Sequence, residues 1–156
     1  MRRMGPMTER HAHPERDDEQ QVALAQREPA AFAPLYRSYV GPIYAFCYQR
    51  LASRELAEDA TSQVFVQALA ALPGYRAGTF RAWLYAIARN VVTDLHRARS
   101  TVPLLESDAA SAVVDFSARD EALDLHRLLA RLTPEQREVV ELRLAGLSGP
   151  EIAEAL

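Results

Sequence analysis

Between Tyr75 and Arg99 the chain gathers side chains able to hold a nucleic acid. Arg76, Arg81, Arg89, Arg97 and Arg99 suit phosphates, Asn90 and Thr93 suit base edges, and Tyr75, Tyr85 and His96 could stack on bases that have left a duplex. Helical spacing brings them together. From Thr79, a plausible N-cap, the apolar members Phe80, Trp83, Leu84, Ile87, Ala88, Val91, Leu95 and Ala98 fall within one arc of about 140°. The opposite face then holds Arg81, Tyr85, Arg89, Asn90, Thr93, His96, Arg97 and Arg99. Taken by composition alone, the same pattern also fits a solvated amphipathic helix with surface arginines. Residues for catalysis are not grouped in this way. His96 and His126 are scattered on helical segments, and no nucleophile, base and orienting group are indicated by spacing, so an enzyme is not expected.

The remaining reactive side chains have plainer readings. Cys47 is the single cysteine and lies among apolar and aromatic neighbours, which predicts a buried thiol, no intramolecular disulfide and a reducing compartment. His11 and His13 lack further ligands at fixed spacing and belong to a solvated tail, so no metal or other cofactor is expected. All 18 basic residues are arginine, a bias that a GC-rich genome explains without guanidinium chemistry. The net charge of −3 would disfavour nucleic acid if it were spread evenly, but it is not. Residues 73–100 carry +4 and 29–54 carry +3, whereas 17–28, 55–72, 101–117 and 118–156 carry −3 each. A basic block between acidic ones fits a protein that touches DNA on one surface and something else on another.

The elements that must position these groups read as helices. With 156 residues, 49% of them hydrophobic and 25% charged, the chain can bury a core as one ordinary domain or two small ones. A short acidic helix is predicted from about Asp17 to Arg27. The next stripe runs from Phe32 through Leu35, Tyr36, Tyr39, Val40, Ile43, Tyr44 and Cys47 to Leu51, with a kink or a two-helix joint expected at Gly41-Pro42. Ser53 should cap a helix with Glu55, Glu58 and Asp59 in its first turns, ended by Pro73-Gly74. From Thr101 to Ser117 the period lapses. Thr133-Pro134-Glu135-Gln136 is a capping box opening a helix that Gly146 should close, and Ser148-Gly149-Pro150-Glu151 opens another. Two helices joined by a glycine-bearing turn make the opening of a helix-turn-helix unit. There is no strand-like alternation, no internal repeat and no glycine-rich phosphate loop, so the fold class is all-α. No apolar signal segment and no run of eighteen apolar residues appears, which predicts a cytoplasmic protein without membrane contact of its own.

The stretch Phe80 to Arg99 resembles the promoter-melting and −10 recognition helix of bacterial extracytoplasmic-function (ECF) sigma factors. Trp83-Leu84, Ile87-Ala88, Arg89-Asn90, Asp94-Leu95 and Arg97 fill that family's pattern. Leu35-Tyr36 and Pro42 resemble its first core helices, and Ala57-Glu58-Asp59 with Val64-Phe65 resembles the helix that docks on the coiled coil of the polymerase's largest subunit. At Ser62-Gln63 the chain departs from the usual Gln followed by an acid. Leu132-Thr133-Pro134, Arg137, Leu142 and the ending GLSGPEIAEAL resemble the domain that reads the −35 element. The pattern stops at Leu156, within the helix before the recognition helix, and truncation of that unit is the expectation.

The resemblance implies two small helical domains: a tail 1–16, sigma domain 2 over 17–100, a linker 101–117, and a partial sigma domain 4 over 118–156. It implies a factor that binds core RNA polymerase, recognises the −10 region of promoter DNA and melts it, without catalysis or a cofactor. Tyr75, Arg76, Thr79, Arg81, Tyr85, Arg89, Asn90, Thr93 and Arg97 would contact DNA, with the loop Tyr75 to Thr79 and Asn90 helping to capture a flipped non-template base. Glu55, Glu58, Asp59, Ser62 and Gln63 would contact polymerase, although Glu58 and Asp59 also fit a plain role opposite the helix dipole. An anti-sigma protein is the further expected partner. The alternative is a sigma-related helical adaptor without promoter activity.

Overall fold

The computed structural model describes residues 14–76, 78–100 and 131–156. The linker 101–117, residues 1–13 of the expected tail with His11 and His13, and His126 lie outside the described residues. Six α-helices occur among the described residues: α1 Pro14–Arg27, α2 Ala33–Leu51, α3 Arg54–Ala71, α4 Phe80–Ser100, α5 Pro134–Leu144 and α6 Gly149–Ala155. Tight 3-10 turns at Pro29–Phe32 and Leu72–Gly74 join α1 to α2 and extend α3. The fold is all-α, with no strand among the described residues.

Helices α2 and α3 follow each other across Ala52-Ser53, a connection too short for anything but packed neighbours. The two helices pack together, and they bury Ile43, Phe46 and Cys47 of α2 and Ala57, Ala60, Val64 and Ala68 of α3. The three alanines keep that contact thin, since interaxial distance follows side-chain size. Burial pushes the Cys47 thiol up to about 11, against the opposing pull of Thr61 and Arg50, as a buried thiol requires. Ala52 ends α2 with φ 50, a left-handed cap that usually falls to glycine, and its N–H donates to the Tyr48 carbonyl.

The joint expected at Gly41-Pro42 is not there. Helix α2 runs unbroken through Pro42 for 19 residues. Proline removes the bond to the carbonyl four residues back, and here that carbonyl belongs to Ser38, which is exposed along with Gly41 and Pro42. A carbonyl left open to solvent at that exposed turn does not force the helix to divide.

Other local signals act as read. Ser53 Oγ accepts from the Leu56 N–H at 3.4 Å to open α3, and Thr79 Oγ1 accepts from the Ala82 N–H at 3.2 Å to open α4. Thr133 and Gln136 exchange side-chain and backbone hydrogen bonds at the start of α5. Gly146 closes it at φ +86, with the Leu147 N–H donating to the Leu142 carbonyl. The Ser148 N–H and hydroxyl both donate to Glu151 Oε2 at 2.7 Å to open α6. Leu142, Leu147, Ile152 and Ala155 join the same hydrophobic cluster as Leu35, Phe46, Val64 and Leu84. Helix α4 is therefore packed against α2, α3 and α6 together.

Candidate nucleic-acid interface

The described residues between α3 and α4, 72–76 with 78 and 79, are held from two sides. On one, Tyr75 leans on Trp83 at 5.1 Å between ring centroids, and Trp83 on Phe80 at 5.6 Å. Trp83 is only partly buried, so it backs the loop as much as it anchors α4. On the other side, the Gln26 side-chain amide donates from Nε2 to the carbonyls of Leu72 (3.0 Å) and Tyr75 (2.9 Å). The Tyr75 hydroxyl donates to the Gly78 carbonyl, and Arg76 folds back to donate to the Pro73 carbonyl at 3.0 Å. Burial, followed by the carboxylates of Glu154, Glu19 and Asp18, pushes the Tyr75 hydroxyl upward and keeps it neutral. A cleft of about 360 Å³ opens between this loop and α1, lined by Glu19, Val22, Gln26, Tyr75, Arg76 and Gly78.

The basic face of α4 divides in two. Asn90, Arg97 and Arg99 are exposed, with Arg97 3.8 Å from Asp94 of its own helix. Thr93 is half-buried and its hydroxyl donates to the Arg89 carbonyl. The N-terminal half of the face is taken up by the C-terminal helices. Arg81 Nη2 donates to the Ala145 carbonyl at 2.8 Å, and Arg89 pairs with Glu138 and reaches the Leu156 carbonyl at 3.3 Å. The Thr79 N–H donates to Glu154 Oε2 (3.2 Å), and its hydroxyl to Glu151 Oε1 (3.3 Å). Beneath them Arg50 pairs with Glu141 at 2.6 Å and Glu138 at 3.6 Å, and lies over the Phe46 ring at 4.6 Å. Carboxylates thus stand where phosphates would have to stand.

Besides half-buried Arg81 and Arg89, the helical wheel misplaces one site residue entirely. Tyr85, expected on the exposed polar face, is 1% exposed and set edge-on to Phe46. The wheel assumed that only one side of α4 is covered, whereas α2 covers a second side at Phe46. Buried there, Tyr85 cannot stack on a base.

Glu55, Glu58, Asp59, Ser62 and Gln63 are all exposed on α3. Glu58 accepts from Arg54 at 2.9 Å one turn earlier, and the Ser62 hydroxyl donates to the Glu58 carbonyl. Toward its C-terminus the helix also exposes Val66 (68%) and Leu69 (43%), which lie one turn apart. An acidic band beside an apolar one is a surface suited to a protein partner.

Residues 35–102 match the family model described as Sigma-70 region 2, and residues 122–156 match Sigma-70, region 4. The ECF RNA polymerase sigma factor ShbA of Streptomyces griseus is 32% identical over 166 residues, covering 90% of this chain and 87% of ShbA. The chain belongs to the ECF sigma factor family. Among its relatives, BldN of Streptomyces coelicolor is 34% identical over 155 residues, covering 90% of this chain and 59% of BldN. SigE of Mycolicibacterium smegmatis is 30% identical over 132 residues, covering 78% of the chain and 51% of that relative. The chain thus spans between about half and three-fifths of the length of these two relatives. Among solved structures, CnrH in complex with the cytosolic domain of CnrY matches with a TM-score of 0.67 and 26% identity, covering 88% of this chain and 81% of CnrH.

In the sigma factor, the region 2 match takes in nearly all of α2 and all of α3 and α4, and the region 4 match takes in α5 and α6. Helix α1 precedes both. Four contributors were not singled out from the sequence. Gln26 sits among the polar residues of α1 with nothing nearby in sequence to mark it. Arg50 is a cation next to a core leucine, a pattern that signals a buried ion pair only once its partner is known. Glu138 and Glu141 lie i, i+3 on α5, on one helical face, and that shared face was the one available clue.

Proposed function

We propose that this sigma factor binds core RNA polymerase through the exposed acidic and apolar face of α3 and opens promoters at the −10 region. The loop Tyr75 to Thr79, with Asn90 and Arg97 beyond it, captures unpaired non-template bases and their phosphates. The observation that carries the proposal is the loop itself: a short segment held by Trp83 and Gln26 beside a basic helix, with an open cleft against it. Separating one DNA base-pair step costs ~1.4 kcal/mol on average. Stacking a freed base on a side chain returns roughly 1–3 kcal/mol. Capture of one or two bases therefore offsets a local opening, and phosphate contacts with polymerase must hold the rest.

Arg81, Arg89 and Thr79 can join only after α5 and α6 leave, because their groups are committed to Glu138, Glu151, Glu154 and Ala145. Engagement with polymerase and promoter is thus coupled to separation of the two regions. An anti-sigma protein is the further partner, an assignment supported by CnrH having been solved with a protein partner, CnrY.

Run-off transcription with purified core polymerase on a genomic fragment library tests the proposal. Discrete start sites should appear with the factor and vanish without it. The Asn90→Ala, Arg97→Ala double variant should lose open complexes by tenfold or more while still binding polymerase. Absence of any factor-dependent start site, or loss of polymerase binding in that variant, would refute this division of labour.

A further inference from the structure

Resting on that base-capture reading, we propose that Glu19 and Gln26 of α1 are specificity-determining residues. The cleft they line selects an unpaired base that bears an exocyclic amine and rejects thymine, the one base without such a group.

The polar inventory of the cleft points this way. Both donors of the Gln26 amide are committed to the carbonyls of Leu72 and Tyr75, which fixes the amide's orientation and leaves Oε1, an acceptor, as its remaining polar atom. Glu19 adds a carboxylate, acceptor only when ionised, and it lies near enough to Tyr75 to raise that hydroxyl's pKa. The Tyr75 hydroxyl spends its proton on the Gly78 carbonyl. Arg76, the one cation at the cleft, is drawn back by the carbonyls of Pro73 (3.0 Å) and Tyr75 (3.4 Å), and its other donors suit the phosphate of the captured nucleotide. A base entering from the open side meets acceptors, and an amino group is the donor that cytosine, adenine and guanine all offer. Helix α1 lies before residue 35, where the region 2 match begins, so Glu19 and Gln26 approach the loop from outside the matched segment.

The test uses holoenzyme reconstituted from the full chain and core polymerase. Templates have a −10 region held open by mismatches and randomised on the non-template strand, and DNA retained in open complexes is sequenced. The unmodified factor should show one position at which thymine is depleted about tenfold, roughly the discrimination of a single good base contact. Glu19→Lys leaves the Gln26 hold on the loop in place and should turn that depletion into enrichment, because thymine offers two carbonyls to an ammonium group. Gln26→Ala should flatten the preference at that position alone, with affinity for core polymerase unchanged. Thymine depletion that survives Glu19→Lys, or thymine preferred at that position by the unmodified factor, overturns the assignment while leaving base capture standing. If Gln26→Ala disorders the loop, Glu19→Lys still decides. A flat profile at every position for the unmodified factor sinks base capture and this assignment with it.

Discussion

Tyr85 packs edge-on to Phe46 at 5.3 Å, and its hydroxyl is buried without a hydrogen-bond partner among the described residues. An unpaired buried hydroxyl costs about 1–3 kcal/mol, while the ring contributes packing. Tyr85→Phe keeps the ring and removes the cost, so the melting temperature should rise by about 2–4 °C for each kcal/mol recovered in a chain of this size. A fall of that size in a thermal melt would mean that the hydroxyl has a stabilising partner after all. The same residue marks a limit of what the sequence makes legible. A helical wheel sorts α4 into one buried and one open face, and it placed Phe80, Leu84, Ala88 and Val91 correctly. It failed at Tyr85 and at half-buried Arg81 and Arg89, because burial there comes from α2, α5 and α6, elements distant in sequence.

Among the elements, α3 offers the most direct test of polymerase binding. Its first turns carry Glu55, Glu58 and Asp59, all solvent-facing, and exposed Val66 and Leu69 follow. Acids opposite the helix dipole would add only ~0.3–1 kcal/mol each to stability. If they also meet a basic partner surface, Glu58→Ala with Asp59→Ala should weaken affinity for core polymerase at least tenfold with little change in melting temperature. Unchanged affinity in a titration would reduce both carboxylates to dipole compensation. Element boundaries were readable where the signal is local. Ser53, Thr79, Thr133 and Ser148 cap helices because a hydroxyl or its following acid needs only residues within one turn. Pro42 does not split α2 into two helices, for a complementary reason: whether a proline breaks a helix depends on where its orphaned carbonyl points, which the neighbouring residues do not reveal.

At the scale of the molecule, region 4 lies on region 2 through Arg50, Arg81 and Arg89. The Arg50–Glu141 pair is the most enclosed ion pair among the described residues, with side chains 12% and 11% exposed. Removing one member of so buried a pair costs roughly 3–5 kcal/mol. Glu141→Ala should therefore release α5 and α6, seen as hydrogen exchange of their amides accelerating about a hundredfold while α2 and α3 stay protected. Affinity for single-stranded DNA should rise in the same variant. Equal exchange rates in both proteins would show that apolar packing at Leu142, Leu147 and Ile152 holds the regions together without this pair. Acid bears on the contact in a defined sense. Burial pushes the Glu151 carboxyl upward, but hydrogen bonds from Ser148, the Arg81 charge and the Thr79 hydroxyl outweigh it and hold it below its ordinary 4.5. A depressed carboxyl lends its full stability above the ordinary value and surrenders it only as the pH drops through the lower one.

Gly78 lies on the wall of the cleft and, at φ +85, so close to α6 that a Cβ there would come within 2.5 Å of Glu154 Oε1. The backbone turn that would meet a base is thus also the turn against which region 4 rests. Linkage then runs both ways. By whatever factor an occupied cleft loosens Glu154, release of Glu154 tightens the cleft on its occupant. If promoter strand enters the cleft as proposed, it and α6 would be competing ligands of one glycine.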